Sequence, residues 1–312
     1  MPLLPFELPP GLERQRGLAP TWAAWLDRLP RLVRDVADEW QLRFDGAPQH
    51  GFGSLVVPVR EPEGRPAVLK VAFDGDDEGV HEALGLQRWD GNGTVRMFRA
   101  DPRRRALLLE RLDAGRDLEA VPVLEACELV AGFYARLHVA PHPQLQRLSS
   151  YVDRWTGGLA ALPVDAPVPR RLVEQAVSLG RSFVADDATD TVMIHGDLHY
   201  QNVLAAEREP WLVIDPKPMA GDAHYEVAPM LWNRWEEAVA TGDVRTALRR
   251  RFHTLVDAAG LEEERARDWV VVRELHNVLW TIEDAVTVNR PLDREDRDAI
   301  TVAVTIAKAV QE

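Results

Sequence analysis

The sequence predicts an α+β chain in which an N-terminal antiparallel sheet carrying one inserted helix precedes a larger, mainly helical region. Three observations predict it. Between residues 41 and 112, short runs of β-branched and aliphatic residues alternate with turn chemistry. Beyond 112, apolar residues recur three and four apart, the period of a helix. Within 191–215, three short apolar runs separated by polar residues bring a strand signature back into the helical part. With 312 residues, 46% hydrophobic and 28% charged, the chain has a soluble globular composition and ample length for a buried core.

Taken in order, residues 20–40 carry Trp22, Trp25, Leu26, Leu29, Leu32, Val33 and Val36 at helical spacing, with Pro30 interrupting them. The expectation is two short amphipathic helices, in an N-terminal helical extension over 1–40. The runs LVVPVR and AVLKVAF flank Glu61-Pro62-Glu63-Gly64, good hairpin chemistry. Asp76-Asp77 opens a helix that runs to Trp89, and VRMFRA and RALLLERL flank Asp101-Pro102 as a second hairpin. These elements make 41–112 a sheet domain. Asp113-Ala114-Gly115 is the linker candidate, and 113–312 is the helical domain.

Charge and cysteine narrow the function classes. Fifty acidic against 37 basic residues leave a net charge of −13, and only Lys70, Lys217 and Lys308 among the basic residues are lysine. An acidic chain with scattered arginines is a poor nucleic-acid binder and suits small cationic or polar, hydroxyl-bearing partners. A single cysteine, Cys127, makes no internal disulfide. The N-terminal stretch is broken by prolines and lacks the order of a signal peptide, and no apolar run approaches the roughly 20 residues that span a bilayer. A cytoplasmic protein is expected, with no membrane partner.

The most informative segment is His195-Gly196-Asp197-Leu198-His199-Tyr200-Gln201-Asn202, followed by Ile214-Asp215. If residues 203–206 and 211–214 pair across Glu207-Arg208-Glu209-Pro210 with Ala206 against Trp211, Asn202 lies directly opposite Asp215, their Cβ atoms about 5 Å apart. A carboxylate and an amide oxygen at that separation can share a magnesium ion. Asp197, in the loop feeding this hairpin, faces the same cation and can take a proton from an attacking hydroxyl. Together these groups are what phosphoryl transfer requires. Two other readings fit the same residues: Asp and Asn as ordinary turn formers, and His195 with His199 as a zinc pair. The zinc pair would need a helix, against which Gly196 and the adjoining strands argue.

Upstream features agree with phosphoryl transfer. Gly51-Phe52-Gly53-Ser54 occupies the first turn of the sheet, where glycines let backbone N–H groups approach phosphate. Lys70 lies inside the apolar run Val68-Leu69-Lys70-Val71-Ala72, a flexible point charge in a chain that otherwise prefers arginine. Glu82, on the following helix, is the residue expected to hold it, with Glu78 as the alternative. Glu110 and Leu112, at the exit of the sheet, would offer backbone groups to an adenine edge.

The order glycine loop, strand lysine, helix glutamate, H-G-D-x-H-x-x-N and then I-D resembles the aminoglycoside phosphotransferase and choline kinase group over residues 45–290. The resemblance implies a two-lobed protein-kinase-like fold, with 41–112 as the nucleotide-binding lobe. It also implies that ATP, or GTP in its place, and Mg2+ are the cofactors. By resemblance Asp197 is the catalytic base and Asn202 and Asp215 are magnesium ligands. Lys70 meets the nucleotide phosphates, Glu82 pairs with Lys70, and residues 110–112 form the adenine hinge. The run Ile214-Asp215-Pro216-Lys217-Pro218, with Gly221-Asp222, Tyr225-Glu226 and Leu231-Trp232-Asn233, is most similar to the streptomycin 6-phosphotransferase and hydroxyurea kinase branch. That implies phosphorylation of an aminocyclitol hydroxyl, with hydroxyurea, a sugar or another antibiotic as alternative acceptors and a non-catalytic nucleotide-binding module as a third reading. Asp222, Glu226, Trp232 and Glu236 are the expected substrate contacts. Gly196 in place of the arginine of H-R-D, and Pro216-Lys217 in place of the Phe-Gly of D-F-G, separate the chain from protein kinases.

Overall fold

In the computed structural model, which describes residues 3–287 and 289–311, the chain forms two compact units. One runs to Ala114 and takes up Ala205–Lys217; the other comprises Gly115–Leu204 and the chain from Pro218 onward.

The first unit begins with a short helix, Pro10–Glu13 (α1), and a long one, Pro20–Glu39 (α2). Its sheet contains Arg43–Phe44 (β1), Gln49–His50 (β2), Ser54–Arg60 (β3), Pro66–Ala72 (β4), Met97–Asp101 (β5) and Ala106–Glu110 (β6). The strand order is β1-β3-β4-β6-β5, with β2 also on β3 and all pairs antiparallel. Both expected hairpins form: β3 and β4 pair with Val57 against Leu69, and β5 and β6 with Asp101 against Ala106. The inserted helix is Glu82–Trp89 (α3), entered through a 3₁₀ turn over Glu78–His81.

Pro30 does not split the first helical segment: α2 is continuous through it. A proline in a helix interior costs about 3 kcal/mol. Trp25, Leu26, Leu29, Val33, Val36 and Ala37 are all buried on one face of α2, against Leu55, Val57 and Val59 of β3 and Ala67, Leu69 and Val71 of β4. Each large side chain buried this way contributes roughly 1.5–3 kcal/mol, so keeping the register through Pro30 outweighs the lost bond. For the same reason residues 1–40 are not a separate extension. Their apolar face is half of the sheet's core.

The second unit is mainly helical: Val123–Leu137 (α4), Leu148–Ala161 (α5), Arg170–Val184 (α6), Pro229–Trp232 (α7), Trp235–Ala240 (α8), Val244–Ala259 (α9), Glu263–Thr287 (α10) and Arg294–Ala309 (α11). The strand Asp113–Asp117 (β7) leads into it. Val192–Ile194 (β8), Val203–Ala205 (β9), Trp211–Val213 (β10) and Met219–Gly221 (β11) are the strand runs expected near 191–215, with one more beyond them. β8 and β11 pair antiparallel, Met193 against Ala220. Leu148, Val152, Phe183, Ile194, Tyr225, Trp269 and Val272 form a core cluster, in which Phe183 and Trp269 stack with centroids 3.8 Å apart.

The chain passes from the first unit to the second after Ala114, and Ala205–Lys217 returns to the sheet unit. The reason is hydrogen bonding. Val213 N–H donates to Gly93 O at 2.9 Å, Val95 N–H to Val213 O at 2.8 Å, and Arg208 reaches Glu110 and the carbonyls of Gly91 and Thr94.

Trp25 is 1% exposed, and Trp25→Ala is expected to lower the unfolding free energy by about 3–5 kcal/mol. A urea midpoint indistinguishable from the parent's would show that α2 is not part of the sheet's core.

Candidate active site

In the first unit the site is built around Lys70. Strand alternation puts Ala67, Leu69 and Val71 on the face covered by α2 and Lys70 on the other, between Val56 of β3 and Leu107 of β6. Lys70 Nζ donates to both oxygens of Glu82 at 2.7 Å and to Asp215 Oδ1 at 2.5 Å. Lys70 and Glu82 are 6% and 5% exposed, so neither charge is solvated and each depends on the other. Burial opposes the ammonium charge, but Asp215 and Glu82 outweigh it and raise the Lys70 pKa. Burial likewise pushes the Glu82 carboxyl up, against the pull of Lys70. Glu82, the first residue of α3, is therefore the partner expected. Glu78 instead lies 3.8 Å from Lys217 Nζ.

These groups line a cavity of about 380 Å³ with the glycine loop. The loop is the tip of the β2–β3 hairpin: Gly51 N–H donates to Ser54 O at 3.0 Å and Phe73 N–H to Gly53 O at 2.8 Å. A Cβ at Gly51 would stand 3.0 Å from the Ser54 hydroxyl, which leaves little room for a side chain. Phe52 at the tip is 71% exposed and meets the edge of Trp22, which stacks on Phe73 at 3.9 Å. Trp22 of α2 thus lines the cavity, which the sequence pattern did not signal beyond its place on an apolar face.

The Glu110 carboxylate does not face outward. It accepts Arg96 N–H at 3.0 Å and Arg208 Nε at 3.0 and 3.1 Å, tying β6 to the 205–217 segment. Leu112 is half-buried between β6 and β7. Asp215 has φ +54°, so the chain leaves β geometry after Val213. The turn before β10 is closed by Ala206 N–H to Pro210 O at 3.4 Å. Proline has no N–H and pairs through its carbonyl alone.

In the second unit the loop 195–202 connects β8 to β9. Gly196 takes φ +84°, which glycine adopts without strain. Asp197 is half-exposed, and its N–H donates to His195 Nδ1 at 3.2 Å. Asn202 is 7% exposed; its Nδ2 donates to Asp197 O at 2.8 Å and lies 3.1 Å from His199 Nε2, which directs its amide oxygen elsewhere. The two histidines sit on a loop rather than a helix, each with a ring nitrogen engaged by this loop's own groups.

Two expected substrate carboxylates have other work. Glu226 is fully buried and accepts the N–H groups of His195 at 3.0 Å and Gly196 at 2.7 Å, with His138 3.6 Å away. Burial opposes its charge, but His138, His195 and the Gly196 N–H prevail and hold its carboxyl below the usual range. Asp222, 3% exposed, caps its own 3₁₀ turn through His224 N–H at 2.9 Å and binds Arg265 at 2.7 Å. Burial is again outweighed, by His224 and Arg265, and its carboxyl is also held low. Both carboxylates are taken up by protein donors, Glu226 by the loop backbone and Asp222 by His224 and Arg265, because a buried carboxylate is retained only where donors surround it. Trp232 is half-buried with the Arg273 guanidinium 5.5 Å from its ring, and Glu236 is exposed in the first turn of α8.

Arg273 itself was not anticipated. It donates to Gly196 O at 3.0 Å and lies over Tyr225 at 4.1 Å. The available signal was a charge inside the apolar run Trp269-Val270-Val271-Val272-Arg273. Its neighbour Glu274 is 1% exposed, with Asn277 Nδ2 3.3 Å from one oxygen, and burial pushes its carboxyl up to about 8.

The fold is the one that aminoglycoside phosphotransferases and choline kinases share. A thermostable mutant of the aminoglycoside phosphotransferase APH(4)-Ia, solved with ADP and hygromycin B, shares the fold with a TM-score of 0.60 at 16% identity, over 88% of this chain and 97% of that one. Residues 39–285 match the family model described as aminoglycoside/hydroxyurea antibiotic resistance kinase, and the chain belongs to that family. It is 40% identical over 294 residues to a streptomycin 6-kinase of Streptomyces glaucescens, covering 92% of this chain and 91% of that protein. It is 39% identical over 269 residues to a hydroxyurea phosphotransferase of Kitasatospora aureofaciens, covering 83% and 75%. Among the described residues no helix is long and apolar enough to cross a membrane.

Glu274 yields a pH prediction. Its folded pKa of about 8 lies above the ordinary 4.5, so the folded state holds the proton more tightly and stability falls as pH rises through that interval. His276, lowered by burial to about 3 from 6.5, acts oppositely, but only below pH 6.5. Between pH 6.5 and 8 the parent is expected to lose stability that Glu274→Gln retains. Equal changes in the urea midpoints of the two proteins across that interval would refute the assignment.

Proposed function

We propose that the protein is an ATP- and magnesium-dependent O-phosphotransferase that phosphorylates a hydroxyl of an aminocyclitol antibiotic such as streptomycin. The observation that carries the acceptor is the 40% identity to a streptomycin 6-kinase over nine-tenths of both chains. Asp197 accepts the proton of the acceptor hydroxyl as its oxygen bonds to the γ-phosphorus, and the bond to the β–γ bridging oxygen breaks to release ADP. Lys70 binds the nucleotide phosphates and Glu82 keeps it charged and in place. Glu226 and Arg273 act on Asp197 indirectly, by pinning the backbone of His195 and Gly196.

The donor set suits magnesium: Asp215 offers a carboxylate whose side chain is 41% exposed, and Asn202 an amide oxygen left over by its own N–H bonds. Asn202 and Asp215 would hold the ion, which supplies charge neutralisation for the phosphates when bound. With Asp222 and Glu226 occupied elsewhere, Glu236 remains as the expected carboxylate for a cationic acceptor and Trp232 as its aromatic neighbour. A second acceptor, hydroxyurea, is favoured by the 39% identity to a hydroxyurea phosphotransferase.

Nucleotide consumption with ATP or GTP and magnesium, measured against streptomycin, other aminoglycosides and hydroxyurea, decides between them. Asp197→Asn is expected to lose about 10²–10⁴-fold in turnover while ATP affinity changes little. Undiminished turnover in that variant would remove Asp197 from the chemistry, and turnover with hydroxyurea alone would reassign the acceptor.

A further inference from the structure

We propose that Trp22 holds Phe52, and with it the tip of the glycine loop, in place at the cavity that takes the nucleotide's terminal phosphates. Both are then positioning residues, and helix α2 sets phosphate affinity from outside the sheet. The proposal rests on the phosphotransferase reading above, under which the loop's N–H groups meet phosphate. Phe52 is the one exposed aromatic side chain among the described residues, at the wall of a cavity shared with Lys70, Glu82 and Asp215. A ring left in water at a charged cavity gains little by burial. What it does gain is one oriented contact.

That contact is made to a surface the core has already set. Trp22 stands in the first turn of α2, stacked on Phe73 with centroids 3.9 Å apart and planes 19° from parallel, and edge-on to the buried Trp25 at 5.9 Å. Phe52 meets it at 5.7 Å and 82°, the edge-to-face arrangement that aromatic quadrupoles favour. The backbone follows the ring: a Cβ on Gly53 would stand 3.4 Å from Trp22 Cη2 and 3.8 Å from Phe73 Cβ, so the loop is seated on the indole. Phe73 N–H also binds Gly53 O at 2.8 Å, and Phe73 follows directly on β4, the strand of Lys70. One aromatic stack thus joins α2, the loop tip and the end of the lysine strand, and all three rings line the cavity. An edge-to-face pair is worth a factor of about 2–12 in an equilibrium constant. A loop held in place gives nucleotide its full affinity, whereas one in place for part of the time gives only that fraction.

Titration calorimetry with ATP and AMP in the presence of Mg2+ tests this on the full-length parent, Phe52→Ala, Phe52→Tyr, Trp22→Leu, the double variant Phe52→Ala/Trp22→Leu and Lys70→Met, with urea midpoints measured alongside. Phe52→Ala is expected to weaken ATP by about 3–10-fold and AMP by less than about twofold. Its urea midpoint stays at the parent's, because the ring is 71% exposed. Phe52→Tyr keeps the ring and binds ATP as the parent does. The double variant binds ATP no more weakly than Trp22→Leu alone, since one contact cannot be lost twice. Unchanged ATP affinity in Phe52→Ala overturns the proposal. So do equal losses for ATP and AMP, or losses that multiply in the double variant, because the two rings then act separately. If Trp22→Leu does not fold, Phe52→Ala and Phe52→Tyr decide by themselves. Failure of the underlying reading looks different. A parent that binds ATP and loses it in Lys70→Met upholds the kinase reading whatever Phe52→Ala does, whereas a parent that binds neither nucleotide overturns both.

Discussion

The first unit depends on one buried charge, the Lys70 ammonium held by Glu82 and Asp215. A lysine in the middle of a strand, 6% exposed, is stable only while carboxylates stay beside it. That requirement fixes where α3 begins, since Glu82 is its first residue, and it draws the end of the 205–217 segment to the sheet. One ion cluster thereby joins β4, α3 and a segment from 145 positions later in sequence. Packed apolar residues of similar volume would bring comparable stability without a desolvation cost. What the cluster adds is position: it fixes one ammonium and two carboxylates against each other at the wall of one cavity.

The second unit solves a related problem with backbone groups. A loop that must present a carboxylate cannot bury its own N–H groups without partners. Glu226 takes two of them, Asn202 binds the Asp197 carbonyl, and Arg273 takes the carbonyl of Gly196. Gly196 stands where protein kinases carry an arginine, and the guanidinium that meets this loop comes from α10. The helical scaffold therefore does more than cover the loop; it supplies the charges that hold it.

Much of this was readable in the residues. Both hairpins, the inserted helix, the helical region and the strand runs near 191–215 followed from period and turn chemistry, because those signals act over a few residues. Lys70 and Glu82 were identifiable as a pair because a charge inside an apolar strand demands a counter-charge. The misreadings share a cause. Pro30 was weighed by its local cost, whereas the continuous helix is set by what its face buries. Asp222 and Glu226 read as substrate contacts in the sequence because an acidic residue alone does not reveal that His224 and Arg265 surround the one, and His138 and two N–H groups the other.

The amino-acid sequence by itself determined the α+β class and the kinship with phosphotransferases, since motif order and residue type are properties of the chain. Tertiary structure alone decided that the buried face of α2 is part of the sheet's core, that Trp22 and Lys217 line the same cavity as Lys70, and that Glu226 accepts the backbone N–H groups of the 195–202 loop. The physical reason is burial. Whether a charge or an aromatic ring faces water, a ligand or another side chain depends on residues far along the chain, and no local pattern carries that information.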